Sequence, residues 1–241
     1  MKRIGRAAVA LMLLAVGFFG LYEWIEQPSS QVFGATLVQG SGHVVALTFD
    51  DGPNPVVTPH LLDVLEHEGV RATFFVVGRA AHAHPQLLRR MRHDGDEIGN
   101  HTETHAHLNA LFTPGALAHQ IDAAAAAIES ATGERPKYLR PPFGARDRAA
   151  IDAAHARGYT VVMWSAMLGD LATPHPANVE LASDLVAQVR DGAIVVLHDG
   201  DQGRDGLGGR TYEAALAPLV IDALKARGYR FVTISALRAH A

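Results

Sequence analysis

Two adjacent aspartates are the residues of this chain with the clearest chemical potential. Asp50 and Asp51 follow the apolar run 44–47 and precede Gly52-Pro53. Two carboxylates at the end of a buried strand are costly unless a positive charge lies against them, and a metal ion is the usual such charge. One aspartate could then bind the metal while the other accepts a proton from a metal-activated water. Because Asp, Gly and Pro also favour turns, an ordinary turn is the alternative.

Two histidines downstream have the spacing of metal ligands. His101 and His105 are four residues apart, so one helical turn or tight loop can aim both imidazoles the same way. A zincin needs Glu directly after the first histidine, and Thr102 stands there instead. Two histidines and one carboxylate leave positions open for water and substrate, which suits a hydrolytic metal and also non-haem iron. The chain has no cysteine, so its metal ligands must be nitrogen and oxygen.

These side chains need a scaffold that brings strand ends together. From residue 42 onward, apolar runs alternate with segments of helical periodicity, which predicts an α/β domain with a mainly parallel sheet, open or closed into a barrel. The carboxyl ends of parallel strands meet at one end of such a fold. We therefore expect Asp50, His101, Trp164 and His198 to lie close together, with His198 as a proton donor. The predicted strands span 44–49, 72–77, 97–99, 159–164, 193–197 and 230–234.

The amino-terminal segment has the pattern of export. Basic residues precede an apolar stretch at residues 7–22, which predicts a signal peptide or an uncleaved signal anchor over residues 1–26. The positively charged amino end would stay on the cytoplasmic side of the membrane. The globular part would then lie in the cell envelope, either membrane-anchored or secreted. Residues 27–41 are rich in Gly, Ser and Gln and suggest a linker before a catalytic domain at 42–241. With a net charge of −4 and no basic patch, we expect no nucleic-acid partner.

Five short motifs occur in order along the globular part. They are 48–53 (TFDDGP), 101–105 (HTETH), 140–144 (RPPFG), 164–170 (WSAMLGD) and 196–199 (VLHD). Together they resemble the motifs of the polysaccharide deacetylases, the NodB-homology or carbohydrate esterase family 4 enzymes. The resemblance covers residues 44 to about 237. It implies a distorted (β/α) barrel of about seven strands, in agreement with the alternation of strands and helices.

The resemblance also implies a division of labour among the polar residues. Asp50 would be the catalytic base, oriented by Arg140. His198 would be the general acid, tuned by Asp170. The divalent metal, commonly zinc, would be held by Asp51, His101 and His105.

The substrate pocket is where the chain departs from the family pattern. The resemblance implies that the backbone N–H of Phe143 helps stabilise the oxyanion, with Pro142 and Trp164 beside it. The family often has Asp at the position of Met167 and Trp at the position of Leu171. The missing Trp would have lined the sugar or acetyl pocket, so this departure bears on substrate preference more than on the chemistry.

The function expected from these features is hydrolysis of N-acetyl groups on amino-sugar polysaccharides or oligosaccharides, of chitooligosaccharide or peptidoglycan type, by a monomer. One alternative is an O-acetyl esterase acting on xylan or another acetylated polymer with the same site. Another is a non-catalytic, membrane-tethered glycan-binding module. An iron oxygenase fits less well, because its close His-x-Asp pair on an all-β scaffold is lacking here.

Overall fold

The computed structural model describes residues 12, 20, 25, 27–108, 113–169, 179–208 and 210–239, and strands alternate with helices through this part of the chain. The strands are β1 Val44–Asp50, β2 Thr73–Val76, β3 Glu97–Asn100, β4 Tyr138–Leu139, β5 Thr160–Val161, β6 Ala166–Met167, β7 Ala193–His198 and β8 Arg230–Phe231. The α-helices are α1 Val57–Glu68, α2 Gly78–Ala83, α3 Pro85–Asp94, α4 Pro114–Thr132, α5 Arg148–His155, α6 Val179–Gln188, α7 Ala217–Ala226 and α8 Ile234–Ala239.

A single curled, parallel sheet forms the centre of the fold. Its strand order is β5-β4-β3-β2-β1-β7-β6, and β8 pairs with β1 at Val44 and Val45. Every residue of β1 is buried, in agreement with the apolar run at 44–47 that begins it. In the β1–β7 register Asp50 lies opposite His198, so two of the predicted site residues end their strands at the same level. The predicted distorted (β/α) barrel is confirmed.

The helix ends agree with the positions of glycine in the sequence, whereas the shortest strands leave no recognisable sequence pattern. Gly69 and Gly95 end α1 and α3 in the left-handed conformation that glycine adopts without strain. Strands β4 and β6 have two residues each, too few to show an alternating pattern. The predicted strand 159–164 is reduced to Thr160–Val161. Proline in the first turn of α7 favours a helix start there, and the preceding Thr211–Leu216 is a 3-10 segment.

Residues 27–40, here called the amino-terminal strap, pack along the open side of the sheet between β5 and β6. The Leu37 N–H donates to the Val161 carbonyl at 2.8 Å, and the Met163 N–H donates to the Leu37 carbonyl at 2.7 Å. Further on, the Gly40 N–H donates to the Gly192 carbonyl at 2.8 Å. The segment whose composition suggests a linker is thus hydrogen-bonded to the barrel.

The amino-terminal segment before the strap is largely outside the described residues. The predicted signal or anchor at 1–26 is described only at residues 12, 20 and 25. Across the described part of the chain, no helix is long and apolar enough to span a membrane.

A buried carboxylate supports the turn that follows β1. Asp199 is wholly enclosed, and its Oδ2 accepts a hydrogen bond of 2.5 Å from Thr58 Oγ1 in α1. A Cβ atom on Gly52 would lie 2.4 Å from this carboxylate, so only glycine fits at that position. Burial raises the pKa of Asp199 to about 7, and the charges of Asp50 and Asp51 act in the same direction.

We predict that Leu37→Pro lowers the free energy of unfolding by about 1–3 kcal/mol, because proline cannot donate the hydrogen bond to Val161. Urea unfolding measures the change. Leu37→Val is the matched control, since it keeps both the N–H and an apolar side chain. If the two variants are equally stable, the strap hydrogen bond contributes nothing to the fold.

We predict that Asp199 makes the metal-free protein less stable as the pH rises. Its pKa in the folded state, about 7, lies above the unfolded value of about 3.9. The stability that its protonated form provides is complete below pH 4 and is lost as the pH rises through 7. Between pH 5 and 8 the unfolding free energy of the wild type should therefore fall more steeply than that of Asp199→Asn. Exposed Asp222→Asn is the control; a wild-type slope retained in Asp199→Asn would contradict the prediction.

Candidate active site

A cavity of about 370 Å³ opens at the carboxyl ends of the strands. Five of the residues that the sequence singles out for chemistry line it, namely Asp50, Asp51, His101, His105 and His198. The expectation that polar residues at separate strand ends converge is therefore confirmed. The remaining walls come from Pro141, Phe143, Trp164, Met167, Val196, Gln202 and Arg210.

Asp51, His101 and His105, here called the metal group, could together hold a divalent metal ion. One potential ligand atom from each lies within 4.8 Å of the other two. Asp51 Oδ1 is 2.9 Å from His105 Nε2 and 3.4 Å from His101 Nε2. Despite these short distances, Oδ1 is buried without a hydrogen bond of acceptable geometry to any described residue. A buried carboxylate oxygen left unpaired between two imidazole nitrogens fits a cation bound among all three.

The orientation of His101 is set by a backbone carbonyl. Its Nδ1 lies 2.8 Å from the carbonyl oxygen of Arg140. A carbonyl can only accept a hydrogen bond, so Nδ1 carries the hydrogen and Nε2 keeps a free lone pair. Nε2 is the nitrogen that faces Asp51, as a metal-ligating histidine requires.

The loops that carry these candidate ligands, and the turn that carries Phe143, have unusual backbone conformations. Asp51, Thr102, His105 and Phe143 have φ values of 75°, 68°, 58° and 59°. Non-glycine residues rarely adopt this left-handed region, and such strain concentrates at functional sites. The cost is offset by nearby hydrogen bonds, such as the 2.8 Å bond from the Thr102 N–H to Asn100 Oδ1.

Helix α4 supports the loop between the two histidines. The Gln120 carbonyl accepts from the Glu103 N–H at 2.9 Å. The Gln120 side-chain oxygen accepts from the Thr104 N–H at 3.0 Å. Both groups of one helix residue therefore hold the loop in the conformation that aims His101 and His105 at Asp51.

Asp50 is paired with a fully buried arginine. Arg140 Nη1 donates to Asp50 Oδ1 at 2.7 Å and to Thr48 Oγ1 at 2.8 Å, and Nη2 donates to the Met163 carbonyl at 3.1 Å. The guanidinium also lies 4.1 Å from the centre of the Phe75 ring. Burial lowers the pKa of Arg140, and the charge of Asp50 opposes that effect. The pairing holds the Asp50 carboxylate in one orientation beside the metal group.

His198 has a partner that the sequence reading missed. Its Nδ1 lies 2.8 Å from Glu213 Oε2, and Glu213 is completely buried. Glu213 Oε1 accepts a 2.6 Å hydrogen bond from Arg210 Nε, and Arg210 Nη2 donates to the Leu168 carbonyl at 2.9 Å. Burial lowers the pKa of His198, but the hydrogen bond and charge of Glu213, with the charges of both aspartates, outweigh it and the pKa is raised.

The predicted partner of His198 and one predicted pocket residue cannot be placed. Asp170 and Leu171 lie outside the described residues. Glu213 gave no motif signal, because it sits 15 residues after His198 in a segment whose pattern suggests an ordinary helix.

Aromatic side chains form the other wall of the cavity. Phe143 is 55% exposed, meets the His105 ring edge-on at 4.5 Å between centroids, and stacks on His107 at 4.1 Å. Trp164 lines the cavity as expected. Pro142 is buried in the 3-10 turn Pro142–Gly144, and the neighbouring Pro141 faces the cavity.

Comparisons with known proteins agree with this geometry. A family model described as polysaccharide deacetylase matches residues 38–162. A chitooligosaccharide deacetylase of a Bradyrhizobium species is 41% identical over 65% of this chain and 70% of its own length. A peptidoglycan-N-acetylglucosamine deacetylase of Bacillus cereus is 34% identical over 83% of this chain and 90% of its own.

The fold has a close counterpart among solved structures. A family 4 acetyl xylan esterase from Clostridium thermocellum, solved with a cobalt ion, superposes with a TM-score of 0.72 at 31% identity. The superposition covers 81% of this chain and 90% of the esterase. The family match, the two curated relatives and this fold agree with the motifs and the cavity. The chain therefore belongs to the polysaccharide deacetylases, the enzymes of carbohydrate esterase family 4.

Proposed function

We propose that this enzyme hydrolyses N-acetyl groups on amino-sugar oligosaccharides or polysaccharides with the help of a divalent metal ion, zinc in the first instance. One observation carries the proposal: Asp50, held by Arg140, lies in the same cavity as the metal group of Asp51, His101 and His105. The names of both curated relatives, which refer to chitooligosaccharide and N-acetylglucosamine, support an amino-sugar substrate.

The metal group and Asp50 would divide the activation of water between them. A divalent cation bound there would lower the pKa of the attacking water, and its positive charge would stabilise negative charge on the acetyl carbonyl oxygen. The nitrogen and carboxylate ligands would suit zinc, and the related esterase was solved with a cobalt ion. Asp50 would accept the proton of the attacking water. Because Arg140 holds one carboxylate oxygen, the basic lone pairs of Asp50 keep a fixed direction.

His198 would supply the proton that the leaving amine requires. It approaches the cavity from β7, a different strand end from the one that carries Asp50. The Glu213 carboxylate on Nδ1 keeps the ring oriented and raises its pKa, so the protonated form persists to higher pH. Nε2 is then the nitrogen available to donate. We assign the tuning role to Glu213; Asp170 remains a predicted second partner.

The acetyl group would lie against the aromatic wall. We expect the Phe143 backbone N–H, in its left-handed turn beside Pro142, to stabilise the developing oxyanion. Trp164 and Met167, with Leu171, would shape the acetyl pocket. Since one chain provides all the assigned residues, we expect a monomer to be active. The export pattern of residues 1–26 supports a site of action in the cell envelope, outside the cytoplasm.

We predict that Asp50→Asn binds zinc like the wild type and releases acetate at least about 100-fold more slowly, because the amide cannot accept the proton. Calorimetric titration with zinc and an acetate-release assay on N-acetylglucosamine oligomers measure the two effects. His101→Ala is the comparison that should lose zinc as well as activity. Near-normal acetate release by Asp50→Asn would overturn the assignment of the base.

We predict that Glu213→Gln moves the alkaline limb of the kcat–pH profile to lower pH. Glu213 raises the pKa of His198, so removing its charge makes the ring lose its proton earlier as the pH rises. Exposed Glu180→Gln, the same chemical change on α6, should leave the profile unchanged. An unshifted limb in Glu213→Gln would contradict the assignment. It would mean either that His198 is not the proton donor or that Glu213 does not raise its pKa.

We predict that acetate is released faster from N-acetylglucosamine oligomers or peptidoglycan than from acetylated xylan. The reason is that the two curated relatives, at 41% and 34% identity, are named for chitooligosaccharide and for N-acetylglucosamine, which are N-acetylated amino sugars. A substrate panel with equal acetyl content measures the preference. Faster release from xylan would assign the chain to O-acetyl esters, and no release from any substrate by the metal-loaded protein would favour a glycan-binding module.

A further inference from the structure

The polypeptide enters the barrel on the same face as the active site. The carbonyls of Gln27 and Ser30 accept hydrogen bonds of 2.7 and 3.0 Å from Arg146 Nη2. Arg146 Nη1 donates at 3.0 Å to the carbonyl of Gly144, which ends the turn that carries Phe143. The strap therefore begins beside the cavity wall. Gly40, near its other end, is bonded to Gly192 at the amino end of β7.

Where the structure describes the barrel, its exposed large hydrophobic side chains lie on that face. Within the described part of residues 27–239, the large hydrophobic side chains that are exposed number five, with exposed fractions from 48% to 71%. Each lies either near the start of the strap, beside the cavity wall, or in a segment that follows the carboxyl end of a strand. We call this set the apolar rim: Val32, Val56, Phe143, Val179 and Leu207.

The opposite face, at the amino ends of the strands, is charged. Arg71, Lys137, Asp191 and Arg230 all precede or begin strands there, and all are exposed. None of the five side chains of the apolar rim lies on that face. The exposed large hydrophobic side chains thus gather at the end of the barrel that the amino-terminal segment joins, where exposed charged residues such as Arg79, Glu180 and Asp205 lie among them.

We propose that residues 7–22 stay in the lipid bilayer and that the apolar rim turns the active site toward the surface of that bilayer. This rests on the proposed function and narrows its substrate to an N-acetylated glycan carried at the membrane. The chain from Tyr22 to Gln27 spans five residue steps, or about 17 Å when fully extended. The face that holds the cavity therefore cannot move far from the membrane.

Two features favour a bilayer over a sugar chain as the partner of the rim. Four of its five side chains are aliphatic, and an aliphatic surface gains more from the acyl boundary of a membrane than from sugar hydroxyls. In addition, Val32, Val56 and Val179 do not line the cavity in which the glycan would react. Phe143 lines the cavity from the turn after β4, and Leu207 lies in the segment after β7 between Gln202 and Arg210, which also line it.

A spacer tests the distance between the face and the membrane. We would insert a flexible Gly/Ser spacer of about 40 residues, with a root-mean-square length of about 35 Å, between Glu26 and Gln27. In reconstituted vesicles, release of acetate from a phospholipid-linked N-acetylglucosamine oligomer should fall at least fivefold. Release from a soluble oligomer should not change. The control carries the same spacer after Ala241.

Fluorescence quenching tests the orientation without using activity. Because the chain has no cysteine, Leu207→Cys and Lys137→Cys each give one labelling site, on the rim and on the charged face. The two faces are separated by roughly 20 Å, the length of β1. A quencher attached to lipid headgroups should quench the label at position 207 several-fold more than the label at position 137.

The outcomes separate this proposal from the proposed function. Equal quenching at both positions, a spacer without effect on the lipid-linked substrate, or a mature protein that begins after residue 26 would each overturn the membrane orientation. An enzyme that is inactive on soluble oligomers but shows the expected quenching would overturn the proposed function and leave the orientation standing.

Discussion

The ion pair between Arg140 and Asp50 is the interaction on which the rest of the site depends. A fully buried guanidinium is tolerated only with a charged partner and with acceptors for its other N–H groups. Asp50, Thr48 and the Met163 carbonyl provide them, and each comes from a strand end or the segment that follows one. Replacing Arg140 by an uncharged residue would leave the buried Asp50 carboxylate without a compensating charge, at a cost of about 3–5 kcal/mol. Arg140 therefore supports both the fold and the proposed chemistry.

Arg140 also connects the proposed base to the metal group. Its carbonyl accepts from His101 Nδ1, which leaves Nε2 free to face Asp51. The side chain of one residue thus orients the carboxylate of Asp50, while its backbone orients a ligand. On the other side of the cavity, Glu213 gives His198 a similar support, and Arg210 in turn holds Glu213. Both of the proposed proton-transfer groups, Asp50 and His198, are thus positioned by a buried partner of opposite charge.

Much of the site was predictable because a parallel sheet gathers its strand ends. Asp50, Asp51, His101, His105 and His198 could be assigned to one site from their positions after apolar runs, and the structure brings them into one cavity. Glu213 could not be assigned in this way. It lies in a 3-10 segment whose contact with His198 depends on how the chain returns from the loop after β7, and residue spacing carries no information about that path.

The sequence by itself determined the class of fold, the family and the residue types of the metal group, since these depend on local periodicity and on motifs with fixed spacing. Tertiary structure alone decided three things. It showed that Glu213 supports His198 and that Pro141 faces the cavity. It also showed that the strap is part of the barrel and begins on the active-site face. Each depends on contacts between segments far apart in the chain, whose geometry exists only once the core is packed.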